Sequence, residues 1–458
     1  MLRKAFVSIL FTILAGLIIV SSWAAYNLYD SQPQRSGEVR VAGLNSPVTV
    51  RFDRFGVPEI LAKNRIDAAF ALGYVTAGDR LFQMDLIRRK TAGKLAEIFS
   101  AVALESDIAQ RHLNLEGAAW SIVQALPSEQ REALEAYAKG VNSYLEQASN
   151  LPPEFWVLRY EPEKWSPPDS ILVVLSMFQL LTWTESDERM LSVMHECLPN
   201  EVAAFLSPDT DRYTKILTGG SDSFRPIQDI PAEQLAALLE QNRASPVAVR
   251  VKAADTAYGS NNWAVNRLKT RDGVAILAND MHLPVSIPNT WYRATLRYDG
   301  LSVSGLNLPG VPSIVVGSNG KIAWGFTNFM ADVLDLVKLK IHPEDPNQYL
   351  SSSGWRTFER VPQSISVKGA NAVAIETRMT EWGPVSPQTL LGQFVVIHWS
   401  ALDPEIANLS LMDLDQVSTI EQAMALLNRA GAPPQNVLLA DDRGNIAWTL
   451  MGRFPKRS

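Results

Sequence analysis

A Gly–Ser junction in the interior of the chain is the sequence feature that most constrains its fold. The residues from Gly259 onward read Gly-Ser-Asn-Asn-Trp-Ala-Val. A small, polar pair that leads directly into an apolar and aromatic run predicts a strand that begins at Ser260. Although it lies in the interior of the chain, the stretch reads like the first residues of a mature protein, such as a cut between Gly259 and Ser260 would create.

Cleavage at this junction would place two reactive groups on one residue. The hydroxyl of Ser260 would be a nucleophile, and the new α-amine would be a base with an ordinary pKa of about 8. A serine hydroxyl needs such an adjacent base, and an N-terminal amine can replace the histidine of a catalytic triad. A bare Gly-Ser-Asn is more often only a turn, so the prediction depends on the surrounding motifs.

Composition excludes several classes of protein. The 458 residues are 47% hydrophobic and 20% charged, as in globular proteins. The net charge is −6 and no basic stripe interrupts it, which argues against a nucleic-acid partner. The one cysteine, Cys197, permits no internal disulfide, and the five histidines lack metal-ligand spacing, which argues against a zinc site.

Residues 1–26 predict a signal peptide or a membrane anchor. Arg3 and Lys4 precede an apolar run over residues 5–25. Ser22-Trp23-Ala24 resembles a signal-peptide cleavage site, whereas about 20 apolar residues also suffice to span a bilayer, so both interpretations stay open. In either case we expect the remainder to face the periplasm or the exterior, with membrane contact only through this segment.

Secondary-structure signals divide the chain at the junction. Helical periodicity dominates before it, over residues 67–99 and 128–147 and from 171 onward. Residues 219–259 have the composition of a linker, and a polar-faced helix is predicted within them over 231–242. Strands dominate after it, and their predicted ranges are 274–278, 291–298, 301–305, 313–316, 322–326, 372–376, 393–399 and 437–440. Helices followed by strands predict an α+β fold.

Eight motifs occur in a fixed order along the chain. They are RFDRFGVPEI (51–60), ALGYVTAGDRLFQMD (71–85), GKLAE (93–97), SNNWAV (260–265), LANDMHL (277–283), LPGVP (308–312), GSNGKIAWGFTN (317–328) and DVLDL (332–336). As an ordered set, from about Val41 to Pro455, they resemble the penicillin acylase family of N-terminal-nucleophile hydrolases. That family includes penicillin, cephalosporin and acyl-homoserine-lactone acylases.

The resemblance implies an architecture and a domain organisation. The expected fold is an αββα sandwich of antiparallel sheets between helical layers. A mainly helical region over 38–218 would precede a spacer over 219–259, and the β-rich nucleophile region would occupy 260–458. Cleavage would leave a heterodimer of the two fragments. The family pattern also continues beyond this chain with an oxyanion-hole Asn and an Arg that no position here matches, so we expect the fold to be incomplete at the C-terminus.

The resemblance also assigns catalytic roles. Cleavage falls between Gly259 and Ser260, and Ser260 becomes both nucleophile and, through its α-amine, general base. The backbone N–H of Asn328 would donate to the oxyanion, and His282 would lie beside the nucleophile and position it. An ordinary strand-terminal Asn and a structural His remain the alternatives for these two residues.

A calcium site and an acyl pocket follow from the same resemblance. The carboxylates of Asp332 and Asp335, the carbonyl of Leu334 and the carboxylate of Glu188 would bind a structural calcium ion, with Glu185 or Asp187 as substitutes for Glu188. No organic cofactor is expected. The acyl pocket would be lined by Met177, Phe178, Leu283, Trp291 and Val316.

These observations predict an exported, self-cleaving amidohydrolase. Its small substrates would be N-acyl compounds such as β-lactam antibiotics, acyl-homoserine lactones or acylated peptides. The alternative is a protein with the same scaffold but no catalysis, either an inactive truncated member or an envelope binding protein.

Overall fold

The computed structural model describes residues 2–207, 229–242 and 259–455. Most of the expected spacer, 219–259, therefore lies outside the described residues. Within it, a helix is present over Ala232–Asn242, as predicted. Gly259 is the only described residue between Asn242 and the junction, and the proposed domain boundaries stay predictions.

Helices form most of the described chain before the junction. They are α1 (Leu2–Asp30), α2 (Arg65–Ala92), α3 (Ala96–Phe99), α4 (Leu104–Leu113), α5 (Leu115–Ala125), α6 (Ser128–Gln147), α7 (Pro153–Leu158), α8 (Pro167–Thr182), α9 (Glu185–Cys197), α10 (Asn200–Leu206) and α11 (Ala232–Asn242), followed after the junction by α12 (Ile420–Leu427). Helix α1 is exposed, and its Ala5–Asp30 segment is long and apolar enough to cross a membrane.

Local signals explain where the long helices begin and end. Helix α2 starts after Asn64, whose side chain accepts a hydrogen bond from the backbone N–H of Asp67. It ends at Gly93, which has a φ of 66° and therefore interrupts the single helix predicted over 67–99. Helix α8 starts in a capping box formed by Ser166 and Asp169.

The backbones of helices α2 and α6 are in direct contact where the two helices cross. A Cβ atom added to Gly73 or Gly140 would collide with the backbone carbonyl of the facing helix, at Tyr137 and Phe70 respectively. The two glycines therefore let the backbones touch, and Leu72 on α2 is fully buried beside this crossing. This pair of helices forms the helical side of the core.

Strands dominate after the junction. The strands are β1 (Thr49–Phe52), β2 (Pro58–Leu61), β3 (Ser260–Val265), β4 (Ile276–Met281), β5 (Tyr292–Tyr298), β6 (Leu301–Asn307), β7 (Val316–Ser318), β8 (Ile322–Asn328), β9 (Leu334–Lys338), β10 (Gln348–Ser351), β11 (Gly354–Thr357), β12 (Glu359–Ile365), β13 (Val373–Thr380), β14 (Gly383–Pro384), β15 (Val395–Trp399), β16 (Gln435–Asp441) and β17 (Ile446–Met451). The α+β class is confirmed.

One sheet joins the two sides of the junction. Its order is β1-β2-β5-β6-β7-β8-β16-β17, and its first two strands precede the junction. Strand β2 pairs in parallel with β5, and the other neighbours are antiparallel. The hairpin predicted at Asn319-Gly320 connects β7 to β8, with Gly320 at a φ of 82°. The large buried side chains of this sheet share one core with α2 and α8.

Strands β3 and β4 form a separate two-stranded ribbon, with Ser260 opposite Met281. The ribbon packs against β8 and β16 of the large sheet. The predicted strand at Ser260 is therefore confirmed, and its first residue lies where the ribbon meets the interior of the protein. This placement positions the candidate active site.

Candidate active site

The junction between Gly259 and Ser260 has a defined geometry. The Ser260 hydroxyl donates a hydrogen bond to the carbonyl oxygen of Gly259 at 2.6 Å. The backbone N–H of His282 donates to the same oxygen at 3.1 Å. The Ser260 hydroxyl and a backbone donor thus converge on the peptide bond that the sequence predicts to be cut.

The imidazole of His282 lies beside this peptide bond. Its Nδ1 atom is 3.4 Å from the position that a Cβ on Gly259 would occupy. Its Nε2 atom is 2.9 Å from a carboxylate oxygen of Asp280, two residues earlier on the same ribbon. The side chain of His282 is 46% exposed, so solvent reaches the pair. The structure therefore places the imidazole of His282 beside Gly259 at the junction, and its predicted positioning of Ser260 stays a prediction.

Asn279 connects the ribbon to the large sheet. Its side-chain amide donates to the carbonyl oxygen of Phe326 on β8 at 2.8 Å and accepts from the N–H of the same residue at 3.0 Å. A third hydrogen bond goes to the carbonyl oxygen of Asn261 at 3.2 Å. The sequence analysis did not single out Asn279, although a polar residue inside a strand of a recognised motif was the available signal.

An apolar cavity of about 110 Å³ lies against the junction, and Ser260 is part of its wall. Four of the five residues predicted for the acyl pocket line it, namely Met177, Leu283, Trp291 and Val316. Other lining residues were missed, among them Val174, Leu181, Met281, Phe326 and Met451. They lie far apart in sequence, so no local pattern could have grouped them.

Phe178 is a correction to the predicted pocket. Its side chain is completely buried in the core and does not line the cavity. Successive residues of a helix point about 100° apart, so Phe178 points away from Met177 and packs into the core. The sequence identified the correct turn of α8 but assigned one residue too many to the pocket.

Asn328 ends strand β8 and also lines the cavity. Its side-chain amide donates to the carbonyl oxygen of Leu181 at 3.1 Å, and its own Oδ1 accepts from Gln435 at 3.4 Å. The structure therefore brings Asn328 and Ser260 to the same cavity, although 68 residues separate them. The oxyanion role of its backbone N–H stays a prediction.

Three of the four predicted calcium ligands lie on elements that pack together. Glu188 lies on α9, Leu334 and Asp335 begin β9, and α9 packs against β9. Glu185, the suggested substitute, accepts a hydrogen bond from Arg189 at 2.8 Å. Within the described ranges, no three His, Cys, Asp or Glu side chains form a group that could hold a metal ion. Calcium binding therefore stays a prediction.

The α+β fold places the strand-leading Ser260 on the wall of an apolar cavity, the kind of concave, mostly apolar pocket in which small molecules bind. The chain belongs to the penicillin amidase family, whose model, described as Penicillin amidase, matches residues 47–458. The fold is accordingly that of the N-terminal-nucleophile hydrolases.

Curated relatives support the family assignment. Acyl-homoserine lactone acylase QuiP of Pseudomonas aeruginosa is 30% identical over 473 residues, which cover 98% of this chain and 54% of that protein. Penicillin acylase 2 proenzyme of Pseudomonas sp. is 32% identical, covering 94% and 55%. Penicillin G acylase of Escherichia coli is 24% identical, covering 90% and 54%. The chain thus spans about half the length of these relatives.

A solved structure of a thermostable penicillin G acylase from Alcaligenes faecalis also matches. The two chains are 23% identical with a TM-score of 0.36, and the match covers 41% of this chain and 34% of that one.

Proposed function

We propose that this chain is part of an exported, self-cleaving amidohydrolase that removes the acyl group from small N-acyl amides. The observation that carries the proposal is the contact at the junction, where the Ser260 hydroxyl lies 2.6 Å from the Gly259 carbonyl oxygen on the wall of an apolar cavity. Purified protein should therefore contain a fragment that begins with Ser260, detectable by intact mass and N-terminal sequencing.

Self-cleavage would begin with attack of Ser260 on the preceding carbonyl. The Oγ atom forms a bond to the carbonyl carbon of Gly259, the C–N bond breaks, and the hydroxyl proton is transferred to the leaving nitrogen. Water then hydrolyses the ester, which leaves a carboxylate on Gly259 and a free hydroxyl and α-amine on Ser260. The His282 N–H, which already donates to the carbonyl oxygen, would stabilise the negative charge that develops there.

The mature nucleophile would act on amide substrates in two steps. The α-amine of Ser260 accepts the hydroxyl proton as Oγ attacks the substrate carbonyl, and it returns the proton to the departing amine. Water then attacks the acyl-enzyme and releases the acid. The backbone N–H of Asn328 is the proposed donor to the oxyanion, and one such donor is worth about 3 kcal/mol of barrier height.

The cavity favours an apolar acyl group of modest size. Its volume of about 110 Å³ compares with ~150 Å³ for an apolar protein cavity that binds benzene. Phenylacetyl and short aliphatic groups fit this size class. The relatives named as penicillin acylases and acyl-homoserine lactone acylases support β-lactams and acyl-homoserine lactones as the first substrates to test.

Met177→Ala is expected to shift the acyl preference toward longer chains. The substitution removes the flexible side chain that α8 contributes to the cavity wall, and each additional buried CH₂ group contributes about 0.8 kcal/mol. The ratio of kcat/KM for an octanoyl over a butanoyl amide should rise by about 10-fold or more. Met190→Ala, an exposed methionine on α9, is the control and should leave the ratio unchanged.

A structural calcium ion that links α9 to β9 is also part of the proposal. Its ligands would be Glu188, Asp332, Asp335 and the carbonyl of Leu334. Calcium at 100 times its Kd should raise the free energy of unfolding by about 2.7 kcal/mol, as measured by thermal unfolding with and without a chelator. Asp335→Asn should remove this response and Asp272→Asn, on an exposed turn, should retain it.

Export places the body in the periplasm or at the outer face of a membrane. Support comes from α1, whose apolar Ala5–Asp30 segment is exposed and precedes the folded part. The mass of the N-terminal fragment distinguishes a cleaved signal peptide from a retained anchor. A chain that stays intact and binds N-acyl amides without hydrolysing them would instead favour the non-catalytic envelope protein.

A further inference from the structure

The contact between the Asp280 carboxylate and the His282 imidazole lies beside the junction, and packing does not explain its place there. Asp280 lies opposite Asn261 in the ribbon, and its carboxylate is 2.9 Å from the Nε2 atom of His282. Its side chain is 74% exposed, so burial does not hold it in place. The imidazole ring has a defined orientation. Its Nε2 atom contacts Asp280, and its other nitrogen, Nδ1, lies on the side of Gly259.

We propose that Asp280 is a positioning residue for the self-cleavage step and that it acts through His282. The inference rests on the proposed function. A carboxylate accepts a hydrogen bond and cannot donate one, so a neutral imidazole beside it carries its proton on Nε2. Nδ1 is then an unprotonated acceptor on the Gly259 side of the ring. The Ser260 hydroxyl, which here donates to the Gly259 carbonyl oxygen, would turn to Nδ1 and transfer its proton there as Oγ bonds to the Gly259 carbonyl carbon.

The proton balance of this step is complete. The Ser260 hydroxyl proton is transferred to Nδ1, the resulting imidazolium is stabilised by the Asp280 carboxylate, and the proton is then delivered to the Ser260 nitrogen as its bond to Gly259 breaks. The carboxylate also holds the ring orientation, which is the role that an aspartate has beside the histidine of serine-protease triads. Both side chains are partly exposed here, so solvent weakens the effect relative to a buried triad.

Backbone hydrogen bonds hold the ribbon in place independently of Asp280. The backbone N–H of His282 donates a hydrogen bond to the carbonyl oxygen of Gly259. The side chain of Asn279, the residue before Asp280, is hydrogen-bonded to Phe326 on β8. Removal of the Asp280 carboxylate should therefore free the imidazole and leave the strand pairing intact. This separation makes a positioning role distinguishable from a structural one.

The first test follows self-cleavage of the full chain during cell-free synthesis, by the appearance of the fragment that begins at Ser260. Asp280→Asn should slow cleavage by about 10- to 100-fold, and Asp280→Glu should restore part of the rate. Asp272→Asn, which removes the same charge from the exposed turn of the ribbon, is the matched control and should cleave at the parent rate. Parent-like cleavage of Asp280→Asn overturns the inference and leaves the proposed function standing.

A double-mutant cycle with His282→Gln tests whether Asp280 acts through the imidazole. In the His282→Gln background, Asp280→Asn should have no further effect on the cleavage rate. If the double variant instead cleaved more slowly by the product of the two single-variant factors, Asp280 would act independently of His282, which would overturn the inference. A parent chain that never cleaves overturns the proposed function and this inference with it.

The protonation of His282 can be measured without cleavage. In the Ser260→Ala chain labelled with ¹⁵N-histidine, the His282 signal, assigned by its loss in His282→Gln, should show that the neutral imidazole carries its proton on Nε2 and none on Nδ1. A proton on Nδ1 would overturn the inference, whatever the cleavage rates.

Discussion

Replacement of Ser260 by Ala is expected to leave the chain in one piece and to abolish amide hydrolysis. The substitution removes the only hydroxyl that hydrogen-bonds to the Gly259 carbonyl in the described part of the chain. Without that oxygen no ester forms, and no free α-amine is produced at the junction. Intact mass and turnover of a chromogenic phenylacetyl amide measure the two consequences in one preparation.

Two controls separate chemistry from folding in this experiment. Ser260→Cys keeps a nucleophile at the same position and should still be cut, because a thiol can form the corresponding thioester. Ser352→Ala removes a hydroxyl from an exposed turn and should behave as the parent. A Ser260→Ala chain that is cut and active would rule out Ser260 as the nucleophile.

Replacement of Asn279 by Ala is expected to slow self-cleavage by about 100-fold and to destabilise the protein. The amide of Asn279 satisfies both backbone groups of Phe326, and its loss leaves a donor and an acceptor unpaired at the contact between ribbon and sheet. Each unsatisfied buried group costs about 1–3 kcal/mol. The ribbon should then shift relative to β8 and displace Ser260 from the cavity wall, which matters because small misplacements of reacting groups can cost 100-fold in rate.

Cleavage kinetics and denaturant unfolding of the uncut Ser260→Ala background test this prediction together. We expect Asn279→Ala to lower the free energy of unfolding by about 2–4 kcal/mol. Asn279→Asp keeps the acceptor but cannot donate to the Phe326 carbonyl, so it should also be impaired. Asn266→Ala, which removes an amide from the turn after β3, is the matched control. Normal cleavage by Asn279→Ala would show that the ribbon does not need this attachment.

Much of the fold was predictable from local patterns. The strand at Ser260, the helix over Ser128–Gln147 and the hairpin at Asn319-Gly320 are each specified by periodicity or turn chemistry within a few residues. The helix boundary at Gly93 was missed because apolar periodicity continues past it, and the left-handed backbone at the glycine decides where the helix ends. Local signals therefore predict elements better than they predict their ends.

The candidate site was predictable only in part. Motif order identified Ser260, His282 and Asn328, and the structure brings Ser260 and Asn328 to one cavity, with His282 beside the junction. Residue type alone could not decide that Phe178 faces the core while Met177 faces the cavity. The hydrogen bond by which Asn279 attaches the ribbon to β8 also could not be predicted, because its partner Phe326 lies 47 residues later in the chain.

By itself, the sequence determined the family, the α+β class and the candidate junction at Gly259–Ser260, because these depend on the order and local spacing of motifs along one chain. The tertiary structure alone decided which side chains form the cavity wall, how the ribbon is held against β8, and that Asp280 contacts the imidazole of His282. The physical reason is that side-chain direction and contacts between distant strands are set by packing and hydrogen bonding across the whole fold.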